Sequence, residues 1–313
     1  MEAILHWGLG AVRAVQGGAS PAMVSLMRIA SALGSGAALL ALVALAYWCV
    51  DGKKGLRLGA ALLVSAWANL ALKFLLDQPR PGFFDPALEL APAGGVGGLP
   101  SGHAQNALVA LLIVASWGKS RLRFAFAAAL CLLIAFSRVY LGAHFPTDIL
   151  GGWIAGAAIL CAYFLAGGWI ENALADRSPR AGLIAAATLA FAMILYRPSP
   201  EMLAPAGAFL GMAAGFHLCR RYVGLTAQAP LGGIGLAGRF ALFARFAIGA
   251  AGTAGLFALS EGPMAALGGA ENYQLFVFMR FALIALWIFA GAPWVFRAAR
   301  LSEASAIHYQ EHD

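Results

Sequence analysis

The chain alternates long apolar runs with short polar connections. Windows of about 17–25 residues, the length of a membrane-crossing helix, fall near 30–50, 58–76, 103–117, 124–141, 148–168, 181–196, 203–219, 240–259 and 275–296. None shows the two-residue alternation of a barrel strand. Backbone polar groups find no water in lipid, so helices are the spanning solution that remains. The pattern predicts an all-α fold: a polytopic membrane helical bundle of roughly nine transmembrane helices. Residues 1–29 are expected to lie on the membrane surface, since Arg13 sits among them, Arg28 is near their end and Gly17-Gly18 interrupts them. They open Met-Glu-Ala-Ile, without the basic start and small-residue cleavage site of a signal peptide. Residues 30–196 are expected to form a core bundle, and 197–313 additional membrane helices with a cytoplasmic tail.

Composition strengthens this reading. The chain is 61% hydrophobic and 11% charged, whereas a soluble domain carries roughly 25% charged residues. The 38 glycines follow no triplet period, and the four cysteines (Cys49, Cys131, Cys161, Cys219) sit inside apolar runs. Small packing residues are the simpler reading of those thiols than disulfides or metal ligands. The net charge of +7 could suggest nucleic acid, but its placement does not. Lys53, Lys54 and Arg57 follow the first run, and Lys119, Arg121 and Arg123 the third. Arg177 and Arg180 follow the fifth, Arg220, Arg221 and Arg239 the seventh, and Arg297 and Arg300 the ninth. Every second connection is basic, which by the positive-inside rule puts those connections and the C-terminus inside and the N-terminus outside. The positive charge is a topology signal, and no nucleic-acid partner is expected.

The opposite connections hold three clusters. Lys73 and Arg80-Pro81 end the second run. Seven residues are two helical turns, so a continued helix would put both cations on one face, with Pro79 and Pro81 stopping it near the surface. A lysine inside a span needs a partner or a wet cavity; snorkelling past the helix end is the plainer alternative. Pro100-Ser101-Gly102-His103 opens the third run after a Gly-rich stretch. Its amides and helix dipole form an anion site, with His103 placed to donate a proton; a capping serine and an interfacial histidine are the alternative. Ser137-Arg138 and His144, followed by Asp148, bridge the fourth and fifth runs. Asp148, four residues after His144, could fix its tautomer and leave the other nitrogen nucleophilic, or be a simple i, i+4 partner. Topology puts all three clusters at the outer face. Three cations, a hydroxyl, amides and two histidines describe a site for a multiply charged oxyanion, and phosphate fits best. No acidic cluster accompanies them, which argues against a two-metal site; no metal or cofactor is expected.

At these residues the sequence resembles the type 2 phosphatidic acid phosphatase superfamily, the lipid phosphate phosphatases. Its motifs K-x6-R-P, P-S-G-H and S-R-x5-H-x3-D are matched in order across residues 73–148. The resemblance implies a metal-independent phosphomonoesterase or pyrophosphatase. It implies that His144 attacks phosphorus, Asp148 orients it, and His103 protonates the leaving oxygen. Lys73, Arg80, Ser101, Gly102 and Arg138 would hold the phosphate oxygens. Phosphatidic acid, phosphatidylglycerophosphate and undecaprenyl pyrophosphate are the lipid substrates it implies, in a bacterial inner membrane with the site on the periplasmic or extracellular side. Lipids of the bilayer are the other expected partner. Many relatives have fewer spans, and the stretch Ser137–Pro146 with the span count also resembles the glucose-6-phosphatase branch. A sugar phosphatase is therefore the second reading, and an anion transporter the third. The third is disfavoured because charges gather at one surface rather than along the bundle. Gly152-x3-Gly156 and Gly211-x3-Gly215 are expected to serve close helix packing.

Overall fold

The computed structural model describes residues 2–92, 94–175, 179–223, 235–260 and 270–301. Among these there are helices and turns and no strand. The helices are α1 (Glu2–Gln16), α2 (Pro21–Ala32), α3 (Gly36–Leu45, continued by a π-helical turn Ala46–Val50), α4 (Gly52–Leu76) and α5 (Pro81–Phe84). They continue as α6 (Gly102–Ser116), α7 (Arg121–Tyr140), α8 (Pro146–Ala175), α9 (Pro179–Tyr196) and α10 (Pro200–Tyr222). Then come α11 (Leu236–Leu259), α12 (Ala270–Leu286, extended by a π-helical turn Trp287–Gly291) and α13 (Ala292–Ala298). Local chemistry sets several starts. Ser20 accepts from the Met23 amide ahead of Pro21, and Asp51 Oδ1 accepts from the Lys54 amide at 2.8 Å. Both satisfy amides that a helix start leaves without partners. Proline in the first turn, as in α5, α8 and α10, needs no donor there.

Six helices among the described residues are long and apolar enough to cross a membrane, and the bent pair Pro21–Ala32 with Gly36–Val50 makes a seventh if counted as one span. Two of the nine expected runs coincide with shorter helices, Gly102–Ser116 and Ala181–Tyr196. At 15 residues, α6 reaches about 22 Å, short of a hydrocarbon core of about 30 Å. Apolar composition marked these segments, but helix length is set by where the backbone turns. The first expected span also differs. Helix begins at Pro21, breaks after Ala32 and resumes at Gly36 with a 47° bend, because Gly34-Ser35-Gly36 weakens the helix there. The connection at Arg177, the acid Glu261 and the tail beyond residue 301 lie outside the described residues.

The chain divides into two compact units, residues 1–40 with 64–172, and 41–63 with 173–313. In the first, Leu9 and Val12 of α1 are buried with Leu88, Ala104, Ala135, Val139, Phe145 and Ile149. The segment expected at the interface thus packs against the residues around the third motif. Gln16 donates to Leu88 O and Tyr140 O, both at 2.8 Å, and Arg13 pairs with Asp85 at 2.8 Å. Gly152 and Gly156 let α8 approach α6: a Cβ on Gly152 would lie 2.6 Å from Ser101 O, and one on Gly156 3.1 Å from Gln105 O. In the second unit, Tyr47 and Trp48 donate to Phe289 O and Ile288 O at 3.1 and 2.8 Å. A Cβ on Gly211 would lie 2.1 Å from Ala282 O, so α10 and α12 meet backbone to backbone. Large apolar side chains stay exposed on the long helices, Phe126, Ile154 and Leu165 among them, as lipid-facing surfaces require. Cys49, Cys131 and Cys219 are buried as expected, whereas Cys161 is exposed on α8.

Candidate active site

All eight motif residues belong to the first unit. Lys73 lies in the last turn of α4, 6% exposed. The helix does not reach Arg80 and ends ahead of Pro79 and Pro81, the prolines expected to stop it. It stops at Leu76, and Asp77 takes a left-handed φ of 41° while its amide donates to Lys73 O at 2.9 Å. Arg80 then reaches the site from extended backbone, as the residue before α5. The Gly-rich stretch receives both cations. Lys73 Nζ donates to Gly97 O and Gly98 O at 2.7 and 3.0 Å, and Arg80 donates to Val96 O and Ala143 O, both at 3.3 Å. Gly98 is closely surrounded, since a Cβ there would lie 3.1 Å from Asp148 Oδ2 and from Pro79 O.

Ser101 occupies the N-cap position of α6, but its side chain caps nothing. The residue is fully buried and its Oγ has no hydrogen-bond partner among the described residues. A buried hydroxyl left unpaired costs free energy unless a ligand engages it, which favours the oxyanion reading over the capping one. Its amide donates to Asp148 O at 2.9 Å, tying the second motif to the third. Behind this turn lies a polar ladder that the motif search does not reveal. Asn69 Nδ2 donates to Pro100 O at 3.2 Å and to Gln105 Oε1 at 2.8 Å, and Gln105 Nε2 donates to Ser65 O at 2.8 Å. Asn69 precedes Lys73 by one helical turn, so a buried amide on the same face was the available signal.

The third motif is held by a tight turn. Arg138 O accepts from the amides of Ala143 and His144 at 3.0 and 3.3 Å. Gly142 between them has φ 68° and abuts Leu88 O too closely for any Cβ. His144 is 2% exposed and its Nδ1 lies 3.1 Å from Asp148 Oδ2. The same oxygen accepts from the Phe145 amide at 3.0 Å, and Asp148 Oδ1 accepts from Gln78 Nε2 at 3.2 Å. Gln78 is a second residue the motifs left as a spacer. Burial first, and then the charges of Arg80, Lys73, Arg138 and His103, hold the His144 imidazole well below its ordinary value. All three clusters therefore act on one ring. Arg138 is 6% exposed, with Nη1 donating to Ser31 Oγ at 2.6 Å. His103, half-buried in the first turn of α6, faces Gly34: a Cβ there would lie 3.4 Å from His103 Cδ2. A neutral imidazole with one nitrogen fixed by a carboxylate, among three cations and an unpaired hydroxyl, is chemically suited to attack on a phosphorus centre.

Comparison with known proteins supplies the family. Residues 54–171 match the PAP2 superfamily, and residues 203–304 match the transmembrane extension of PAP2 superfamily phosphatases. An undecaprenyl-diphosphatase of Sulfolobus acidocaldarius is 30% identical over 116 residues, covering 34% of this chain and 54% of that protein. Phosphatidylglycerophosphatase B of Bacillus subtilis is 33% identical over 113 residues, covering 33% of this chain and 52% of its own. YbjG, a candidate undecaprenyl-diphosphatase of Escherichia coli, is 33% identical over 144 residues, covering 44% of this chain and 70% of its own. The chain spans about half the length of the first two.

Proposed function

This chain is a membrane protein of the PAP2 superfamily, and from that premise we propose that it is a metal-independent phosphatase acting on the phosphate monoester or pyrophosphate of a lipid. The observation that carries the reading is the buried His144–Asp148 pair, 3.1 Å apart, under the influence of Lys73, Arg80, Arg138 and His103. With Nδ1–H donating to Asp148, His144 Nε2 attacks phosphorus. The N–P bond forms as the P–O bond to the leaving group breaks, and His103 gives that oxygen its proton. Water then attacks the phosphohistidine while His103 takes a proton back; the new P–O bond forms as the N–P bond breaks, and inorganic phosphate leaves with His144 restored. Lys73, Arg80, Arg138, the Ser101 hydroxyl and the Gly102 amide hold the phosphoryl oxygens, so catalysis is chiefly positioning and charge stabilisation.

Relatives named for undecaprenyl diphosphate and phosphatidylglycerophosphate support a lipid substrate, whose tail would stay in the bilayer while its headgroup enters the pocket. The alternating basic connections support an outside N-terminus, an inside C-terminus and a site on the periplasmic or extracellular side of a bacterial inner membrane. Roughly nine crossings follow if the two short helices count as spans. The test is phosphate release by the purified full chain in detergent with EDTA, across phosphatidic acid, phosphatidylglycerophosphate, undecaprenyl pyrophosphate and glucose 6-phosphate. Release from a lipid and its loss in His144→Ala are expected. Retained release would sink the nucleophile, and a preference for the sugar would move the chain to the glucose-6-phosphatase branch. Anion flux without phosphate release would sink the enzyme class.

A further inference from the structure

Ser31 lies outside both family-matched segments, yet it reaches the site. It sits in the last turn of α2, 6% exposed, and its Oγ accepts from Arg138 Nη1 at 2.6 Å. Arg138 Nε is buried and has no hydrogen-bond partner among the described residues. A guanidinium is planar and its N–H groups form a rigid fork, so anchoring one terminal nitrogen fixes the direction of the others. A buried charge with an unsatisfied donor is costly, and an oxyanion would relieve that cost. The chain turns immediately after this contact. Gly34 N donates to Ser31 O at 3.0 Å and Ser35 N to Ala32 O at 3.1 Å. That turn sets Gly34 against the site, where a Cβ would lie 2.7 Å from Ile134 Cγ2 and 3.4 Å from His103 Cδ2. One broken helix end therefore bonds to the arginine and passes beside the histidine.

We propose that the break between α2 and α3 is part of the phosphate site. Ser31 is a positioning residue that orients Arg138 toward the bound oxyanion. The proposal rests on the phosphatase reading for the identity of the oxyanion. Its test measures binding as well as turnover, using inorganic phosphate as the probe. Stabilisation of the full chain in detergent by phosphate gives an affinity without any need for activity. Ser31→Ala should weaken phosphate binding and lower kcat/KM by about tenfold, as loss of a bond to a charged group does. Ser31→Thr, which keeps the hydroxyl, should stay within about threefold of wild type. In an Arg138→Lys background, Ser31→Ala should cost less than about twofold, because the two residues act through one contact.

Equal losses in both backgrounds, or unchanged phosphate affinity in Ser31→Ala, would overturn the positioning role. If Ser31→Ala fails to fold, the Thr variant decides: tenfold weaker phosphate binding in a folded Thr variant overturns the hydroxyl's role. A wild type that binds phosphate with this pattern but hydrolyses no phosphoester would overturn the phosphatase reading and leave the Ser31 contact standing.

Discussion

Both oxygens of Asp148 are engaged, Oδ2 by His144 Nδ1 and the Phe145 amide, and Oδ1 by Gln78. In the proposed mechanism these contacts let the carboxylate fix which ring nitrogen faces the substrate. Asp148→Asn keeps the volume and one acceptor but loses the charge that stabilises the ring, and it can present an amide N–H where the tautomer needs an acceptor. We expect kcat to fall on the order of 10²- to 10⁴-fold with the protein still folded and monodisperse; an unfolded variant would indicate a structural role instead. The same pocket makes a pH prediction. Folded His144, held well below its ordinary value, takes up no proton where the unfolded imidazole, near 6.5, does. The unfolded state then binds more protons, so stability is full above about 6.5 and declines as pH falls. The thermal midpoint in detergent should drop between about pH 7 and 5.5, and drop less in His144→Gln, whose side chain does not titrate in that range. Equal slopes would assign the decline to other groups.

At the scale of the elements, the sequence carried helix class and motif positions well, and helix ends less well. The apolar runs marked every long helix because apolarity is what the bilayer selects. The break at Gly34, the short reach of α6 and the stop at Asp77 depend on where the backbone turns, which composition does not report. The site shows the same division. Lys73, Arg80, Ser101, His103, Arg138, His144 and Asp148 were legible as reactive groups at fixed spacing. Gln78, Asn69 and Ser31 were not, because each acts through a contact 31 to 107 residues away, with a partner that only the fold supplies. The glycine pairs were legible as packing sites, and one gives a stability test. Gly211 faces Ala282 O with no room for a Cβ, so Gly211→Val must push α10 from α12. It should destabilise the detergent-solubilised protein by about 1–3 kcal/mol or more. Gly167→Ala, where an added Cβ meets nothing within 4 Å, is the control, and comparable thermal midpoints for the two variants would refute the close contact.

For the whole molecule, the membrane orientation remains the consequence of charge placement that most affects function, because for the proposed phosphatase it would decide which compartment phosphate leaves into. The connection carrying Leu90 to Gly98 holds the carbonyl groups that grip Lys73 and Arg80. The connection at Gly118–Ser120, at the other end of α6, carries Lys119 and leads into Arg121 and Arg123. If positive residues mark the inside, these two connections face opposite compartments. Pro92 and Lys119 are both exposed, so each can be replaced by cysteine without disturbing a buried contact. The exposed Cys161 on α8 is first changed to Ser so that it does not contribute label. A membrane-impermeant thiol reagent applied to intact cells should then mark Pro92→Cys and spare Lys119→Cys until lysis. The reverse pattern would put the site on the inner side, and with it the release of phosphate into the cytoplasm. Labelling of both on intact cells would mean that α6, at 15 residues, does not separate the two compartments and that its ends lie on one side.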